Sequence, residues 1–229
     1  MQTPCGMSHV LQDQDKNINK MISTNAKHAP LPQIVCTDRC CIHIEKQNRI
    51  MIKKNSVFIA TSLDGYIADK NGGIDWLHSI PNPDNDDIGY VEFNKEIDAL
   101  VMGRKTFETV LGFNVDWPYN KPVFVLSNKL KEIPKSHKDK AFLVKGTLTE
   151  ILDQIHDKGY NRLYIDGGIT IRNFLKEDLI DEMVITTIPV LLGGGSPLFT
   201  ELPNELKFEL IGTKTYLNQI TQSHYKRNK

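Results

Sequence analysis

Cysteine is missing from most of the chain. All four, Cys5, Cys36, Cys40 and Cys41, precede residue 42 of 229, so no disulfide can staple the rest and the core must hold by packing. Long hydrophobic runs are missing too. Nothing approaches the roughly 18 to 20 apolar residues that span a bilayer, and the N-terminus lacks the continuous apolar stretch of a secretory signal. A soluble, cytoplasmic protein is expected. Net charge is also absent: 28 basic side chains balance 28 acidic ones. Nothing general therefore draws the chain to nucleic acid or an anionic membrane, and any anion site must be built locally. Neither GxGxxG nor GxxxxGK[ST] occurs, which removes the Rossmann fingerprint and the P-loop as explanations.

Residues 1–50 are polar, lack sustained periodicity and include Pro30 and Pro32. Such a composition buries too little apolar surface to offset chain ordering, so a loose extension is expected ahead of a domain over 51–229. Cys36, Cys40, Cys41 and His43 supply metal-ligand residue types. Their spacing matches no standard zinc pattern and no second ligand pair accompanies them, so no metal is expected.

What the chain does contain is a series of strand-like runs with unusual ends. FIATSLDGYIA (58–68), ALVMGRKTFE (99–108), VFVLSNK (123–129) and LYIDGG (163–168) each pass from β-rich apolar residues to small, polar or basic ones. Such ends present backbone amides to an anionic ligand. Four of them in one domain point to an extended nucleotide lying across a sheet. A fifth marked segment, ITTIPVLLGGG, follows at 185–195.

The spacing predicts strands over 56–63, 99–102, 123–126, 142–144 and 162–165, then over 182–192, 207–215 and 216–225. Helices are predicted from the capping residues 85–87 to about 97, over 104–111, over 147–158 and over 169–176. The third has a Thr-Leu-Thr-Glu start, an apolar stripe of Leu148, Ile151, Leu152 and Ile155, and Gly159 as its stop. Strands alternating with helices, then strands alone, imply one α/β domain around a mixed, mostly parallel sheet with an antiparallel finish.

Gly103-Arg104-Lys105-Thr106 opens a helix, where free amides and the positive dipole end favour phosphate; an ordinary helix start with exposed basic residues fits as well. Ser127-Asn128-Lys129 is either a second clamp on a phosphate or adenosine, or a surface turn. Gly167 and Gly168, having no Cβ, either admit a pyrophosphate close to the backbone or make a tight strand-to-helix turn. Residues 193–195 offer bare amides to a ribose phosphate or form a turn between strands. Trp76 and Trp117 either shield a heterocycle or pack in the core.

In order and spacing, SLDGYIA, VMGRKTFE, FVLS, LYIDGG and IPVLLGGGSPLF resemble the dihydrofolate reductase superfamily. The likeness is strongest to the branch related to the C-terminal reductase domain of the bacterial bifunctional riboflavin-biosynthesis deaminase-reductase. It runs from about Ser56 to the C-terminus and implies a dihydrofolate reductase-like three-layer α/β sandwich with NADPH as the hydride donor. The implied substrate is a small nitrogen heterocycle, 5-amino-6-(5-phosphoribosylamino)uracil first and dihydrofolate as the alternative. A catalytically silent NADP-binding module is the rival from another class.

By position in these motifs, the resemblance assigns the nicotinamide carboxamide to the backbone of Ala60 and Ile67. It flanks the pyrophosphate with Gly103, Arg104, Lys105 and Thr106 on one side and Gly167, Gly168, Ile169 and Thr170 on the other. Arg104, Ser127 and Asn128 are assigned to the 2′-phosphate. One carboxylate on the first helix is implied to bind the heterocycle and assist its protonation. Counting back from Met102 puts Asp87 there, with Thr186 as its partner and Glu92 in reserve, while a plain capping role for Asp87 fits equally. MGRKTFE is the more dihydrofolate reductase-like motif; IDGG and LLGGGSPLF are unlike the folate enzymes. The extension lacks the Cys-x-x-Cys of a zinc deaminase. A homodimer paired through an edge of the later strands is a further expectation.

Overall fold

Ala99-Leu100-Val101-Met102 is apolar at every position, the pattern of a strand covered on both faces. Strands of this kind form the centre of the molecule. The computed structural model describes residues 52–113 and 115–229; the extension expected over 1–50, with Cys36, Cys40, Cys41 and His43, lies outside them. The strands are β1 (Lys54–Ser62), β2 (Tyr66–Ala68), β3 (Ala99–Gly103), β4 (Val123–Leu126), β5 (Ala141–Val144), β6 (Arg162–Asp166), β7 (Glu182–Ile188), β8 (Ser196–Pro197), β9 (Phe208–Tyr216) and β10 (Ile220–Arg227). Eight of them form one sheet in the order β5-β4-β3-β6-β1-β7-β10-β9. From β5 to β7 all neighbours are parallel, whereas β10 runs antiparallel to both β7 and β9. The mixed sheet with its antiparallel finish is thus as the sequence implies.

Among the described residues four α-helices cover the sheet: α1 (Tyr90–Lys95), α2 (Arg104–Gly112), α3 (Leu148–His156) and α4 (Gly168–Lys176). Alternate strand residues feed two cores. Val101, Phe124 and Ile165 meet Ile151 and Ile155 of α3 and Phe174 of α4; Leu100, Met102 and Val125 meet Phe107 of α2 and Phe93 of α1. Each such side chain, buried, is worth about 1.5–3 kcal/mol. Three layers result. Among the described residues no helix is long and apolar enough to cross a membrane.

The departures from the sequence pattern have local causes. β7 stops at Ile188 instead of reaching 192, because Pro189 has no N–H for the ladder and Val190 turns its amide back to the Ile188 carbonyl at 2.8 Å. α1 ends at Lys95 rather than near 97, since the Asp98 amide is claimed by the Arg162 carbonyl at 2.8 Å as the chain enters β3. The pattern does not predict the ribbon of β2 with β8. It forms where residues 193–195, all at positive φ, bring the chain so close to Ala68 that a Cβ on Gly195 would overlap the Ala68 carbonyl.

Candidate functional site

β1, β3, β4, β6 and β7 are parallel, so their C-terminal ends share one edge, and the loops leaving them wall a cleft of about 2000 Å³. Pockets for a single small ligand run to about 300–1,000 Å³, so this one has room for two ligands side by side. The edge where strand order reverses is where open α/β sheets bind ligands.

One half of the cleft lies over β3, β4 and β6. Gly103 to Thr106, Ser127, Asn128 and Gly167 to Thr170 all line it. α2 and α4 begin here, and neither has a capping side chain or an acidic residue in its first turn. α3, by contrast, is closed by its own capping box: the Glu150 carboxylate accepts from the Thr147 amide at 2.8 Å and the Thr147 hydroxyl accepts from the Glu150 amide. Two uncapped helix starts facing one cleft leave free amides for an anion. The two loops interlock as well. A Cβ on Gly103 would stand 2.9 Å from the Thr170 hydroxyl, and one on Gly167, at φ +88, would overlap the Thr106 hydroxyl.

The polar ends of this half are partly engaged. Arg104 Nη1 reaches both Glu108 carboxylate oxygens at 2.7 Å, so its charge is shared along α2. Ser127 Oγ accepts from the Lys129 and Leu130 amides at 3.1 and 2.9 Å, forming a turn that keeps its own proton available. Lys105 and Lys129 line the cleft beside them.

Ala60 and Ile67 line the middle of the cleft, and Asp87 and Thr186 line the other half. The Asp87 carboxylate accepts from the amides of Gly89 at 3.2 Å and Val91 at 2.6 Å, so it does cap the start of α1 while facing the cleft. Thr186 is engaged by Gln222 rather than by Asp87. Gln222 Nε2 donates to Thr186 Oγ1 at 2.9 Å and to the Ile88 carbonyl at 2.8 Å. Glu92 stays outside the cleft wall, bonded to Lys95 at 2.9 Å, which holds its carboxyl below the usual range.

At the floor between the halves stands Asp166, the last residue of β6. Burial pushes its carboxyl up to about 6, against the opposing pull of the Gly167 amide and the Tyr164 hydroxyl. Tyr164 Oη also donates to the Phe58 carbonyl at 2.8 Å, which fixes the ring beneath the carboxyl.

Two sequence alternatives resolve toward packing. Trp76 is buried with Ile188 and Ile220, and Trp117 packs on Phe107, Tyr119 and His137. The Gly193 amide is taken by the Asp64 carboxylate at 2.8 Å, so this glycine run ties its loop to the β1–β2 turn. Among the described residues no cluster of three or more His, Cys, Asp or Glu is placed to hold a metal.

A sequence model of the RibD C-terminal domain matches residues 53–222. The chain belongs to that family. The uncharacterized protein YwjB of Bacillus subtilis (strain 168) is 39% identical over 180 residues, covering 77% of this chain and 99% of its own. A crystal structure named "Putative riboflavin biosynthesis protein" from Shewanella sp. PV-4 is 60% identical, with a TM-score of 0.75 over 77% of this chain and 99% of that one. The dihydrofolate reductase of Enterococcus faecalis, solved with NADP(H), shares 19% identity and a TM-score of 0.54 over 77% of this chain and 97% of that one, a likeness of fold.

For this member of the RibD C-terminal domain family, the LYIDGG motif draws attention to its glycines and away from the acid between them and the strand. Asp166 had a signal all the same. A carboxylate ending the apolar run Leu163-Tyr164-Ile165, directly before two glycines, has few ways to be solvated. Gln222 had none, since its partners lie 36 and 134 residues away.

Proposed function

We propose that this chain is an NADPH-dependent reductase of a nitrogen heterocycle, sharing its hydride-transfer chemistry, though not necessarily the phosphate of its substrate, with 5-amino-6-(5-phosphoribosylamino)uracil reductases. The observation that carries the reading is Asp166: a carboxyl raised to about 6, set between two uncapped helix starts and a second, largely apolar chamber. Reduced NADP, when bound, supplies the hydride. The residues fit it: bare amides and the Cβ-free approach at Gly103 and Gly167 suit a pyrophosphate, while Lys105, Lys129 and Ser127 suit the further phosphate. Ala60 and Ile67 orient the nicotinamide against the second chamber. Hydride delivery to the carbon of a C=N group leaves the nitrogen needing one proton, and Asp166 is protonated often enough near neutrality to give it. Asp87 and Thr186 orient the ring.

Dihydrofolate is the second reading, supported by Asp87 and Thr186 both lining the cleft. Titration of the pure protein with NADPH, followed by addition of each heterocycle, tests both. Loss of the reduced-nicotinamide absorbance with one ring identifies the reaction. Tight NADPH binding without consumption by any ring supports the silent module, and no binding removes the reading altogether.

A further inference from the structure

A reductase of this kind can take a charged or an uncharged substrate, and the second half of the cleft bears on which; the inference rests on the reductase function. Asp75, Asp86 and Asp87 line this half, all from the chain ahead of α1. Asp86 and Asp87 are fixed there. Asp86 Oδ1 accepts from the Ile88 amide at 2.8 Å, and Asp87 takes the Gly89 and Val91 amides. Ile88 and Gly89 are both left-handed, at φ +51 and +82, a conformation costly for a β-branched residue. The bond from Gln222 to the Ile88 carbonyl pins that pair to the sheet.

The cations facing these acids are few. Lys95 lines the cleft with its ammonium on Glu92 at 2.9 Å and within the field of Asp87, His78 lines it too, and Lys121 is the one lysine here without a carboxylate partner among the described residues. Arg104, Lys105 and Lys129 line the dinucleotide half, and Arg172 of α4, which also lines the cleft, donates to the Pro197 carbonyl. Between the acids the wall is apolar, built from Ile80, Ile88, Leu217 and Ile220. The negative field is felt at Tyr216, whose hydroxyl is pushed up by burial and then by Asp86 and Asp87. At the floor, Thr186 is only 4% exposed. Its oxygen accepts from Gln222, and its own proton is given to no acceptor among the described residues.

A phosphate monoester would bring roughly two negative charges into this half. A nitrogen heterocycle brings N–H groups for the carboxylates and a ring nitrogen or carbonyl for the Thr186 proton. We propose that the substrate of this chain is a phosphate-free aminopyrimidine-type heterocycle, neutral or cationic, with Asp86 and Asp87 acting both as acceptors for its N–H groups and as a barrier to a phosphorylated ribose.

The test uses the full chain saturated with NADPH and two probes sharing one ring, 5-amino-6-ribosylaminouracil and its 5′-phosphate, with binding read by calorimetry. At low salt the unphosphorylated probe binds at least about tenfold tighter, and the margin shrinks as added salt screens the carboxylates. The D86N/D87N double variant keeps the carbonyl acceptors for the backbone amides and narrows the margin in the same way; the salt series needs no variant. Tighter binding of the phosphate, a margin indifferent to both salt and the double variant, or binding of neither probe to the NADPH-loaded chain overturns the proposal. Failure of NADPH itself to bind is a different result, which removes the reductase reading and this inference with it.

Discussion

Gln222 donates its side-chain amide to the Ile88 carbonyl at 2.8 Å across 134 residues of sequence, joining the last strand of the sheet to the strained turn ahead of α1. The same nitrogen holds Thr186, so one buried carboxamide ties together two residues that line the cleft. Gln222→Leu removes both bonds and leaves the Ile88 carbonyl without this partner. The expected result is a KM for the heterocycle raised by about tenfold with the NADPH dissociation constant unchanged within about twofold, since each lost bond is worth about 0.5–1.5 kcal/mol. Equal losses at both ligands would show a general loosening instead.

Asp166 predicts a pH dependence of stability with a definite sign. Its carboxyl binds a proton more tightly in the folded chain, at about 6, than at the ordinary value of 3.8. Its contribution is therefore full below pH 3.8 and is lost as the pH rises through about 6, by at most about 3 kcal/mol. Asp166→Asn should match the parent at about pH 3.5 and become more stable than it between about pH 4 and 7. Denaturant melts across that window check it, and a variant destabilised at neutral pH contradicts the buried-acid picture. Turnover of the same variant should fall by about 10²–10⁴-fold, and that of the parent should decline above about pH 6.

The legible and illegible parts of this molecule divide along the range of the interactions. β4 and the capping box at Thr147 and Glu150 sit where the pattern places them, because they are set by neighbours in sequence. The end of β7 was readable in principle from Pro189. The β2–β8 ribbon was not, since two short strands about 130 residues apart meet through the close approach of Gly195 to Ala68. At the site, glycine-rich and basic motifs announce the half of the cleft over β3, β4 and β6. The other half depends on Gln222, on the strain at Ile88 and on the surroundings of Asp166, and only the assembled fold gives those.

Gly167 tests the proposed dinucleotide site. With φ at +88 and no room before the Thr106 hydroxyl, Gly167→Ala must strain its backbone and push Thr106 aside. A destabilisation of about 1–3 kcal/mol and at least a tenfold loss of NADPH affinity are expected. Adding Thr106→Ala relieves the clash but not the φ, so the double variant should recover part of the stability. Full recovery would mean that backbone strain contributes nothing.

β9 tests the expected homodimer. It is nine residues long, lies at the end of the sheet order, and among the described residues no strand pairs with its outer edge. Leu210 and Ile211 are 55% and 51% exposed on it. A long unpaired edge carrying exposed Leu210 and Ile211 is a template for another strand, and antiparallel pairing of β9 with itself about a two-fold axis is self-complementary. Light scattering on a sizing column should return twice the chain mass, and Leu210→Lys with Ile211→Lys should return the monomer with its NADPH affinity intact, because the cleft lies at the C-terminal ends of strands well inside the sheet. A monomer at all concentrations in the parent chain rules out this pairing.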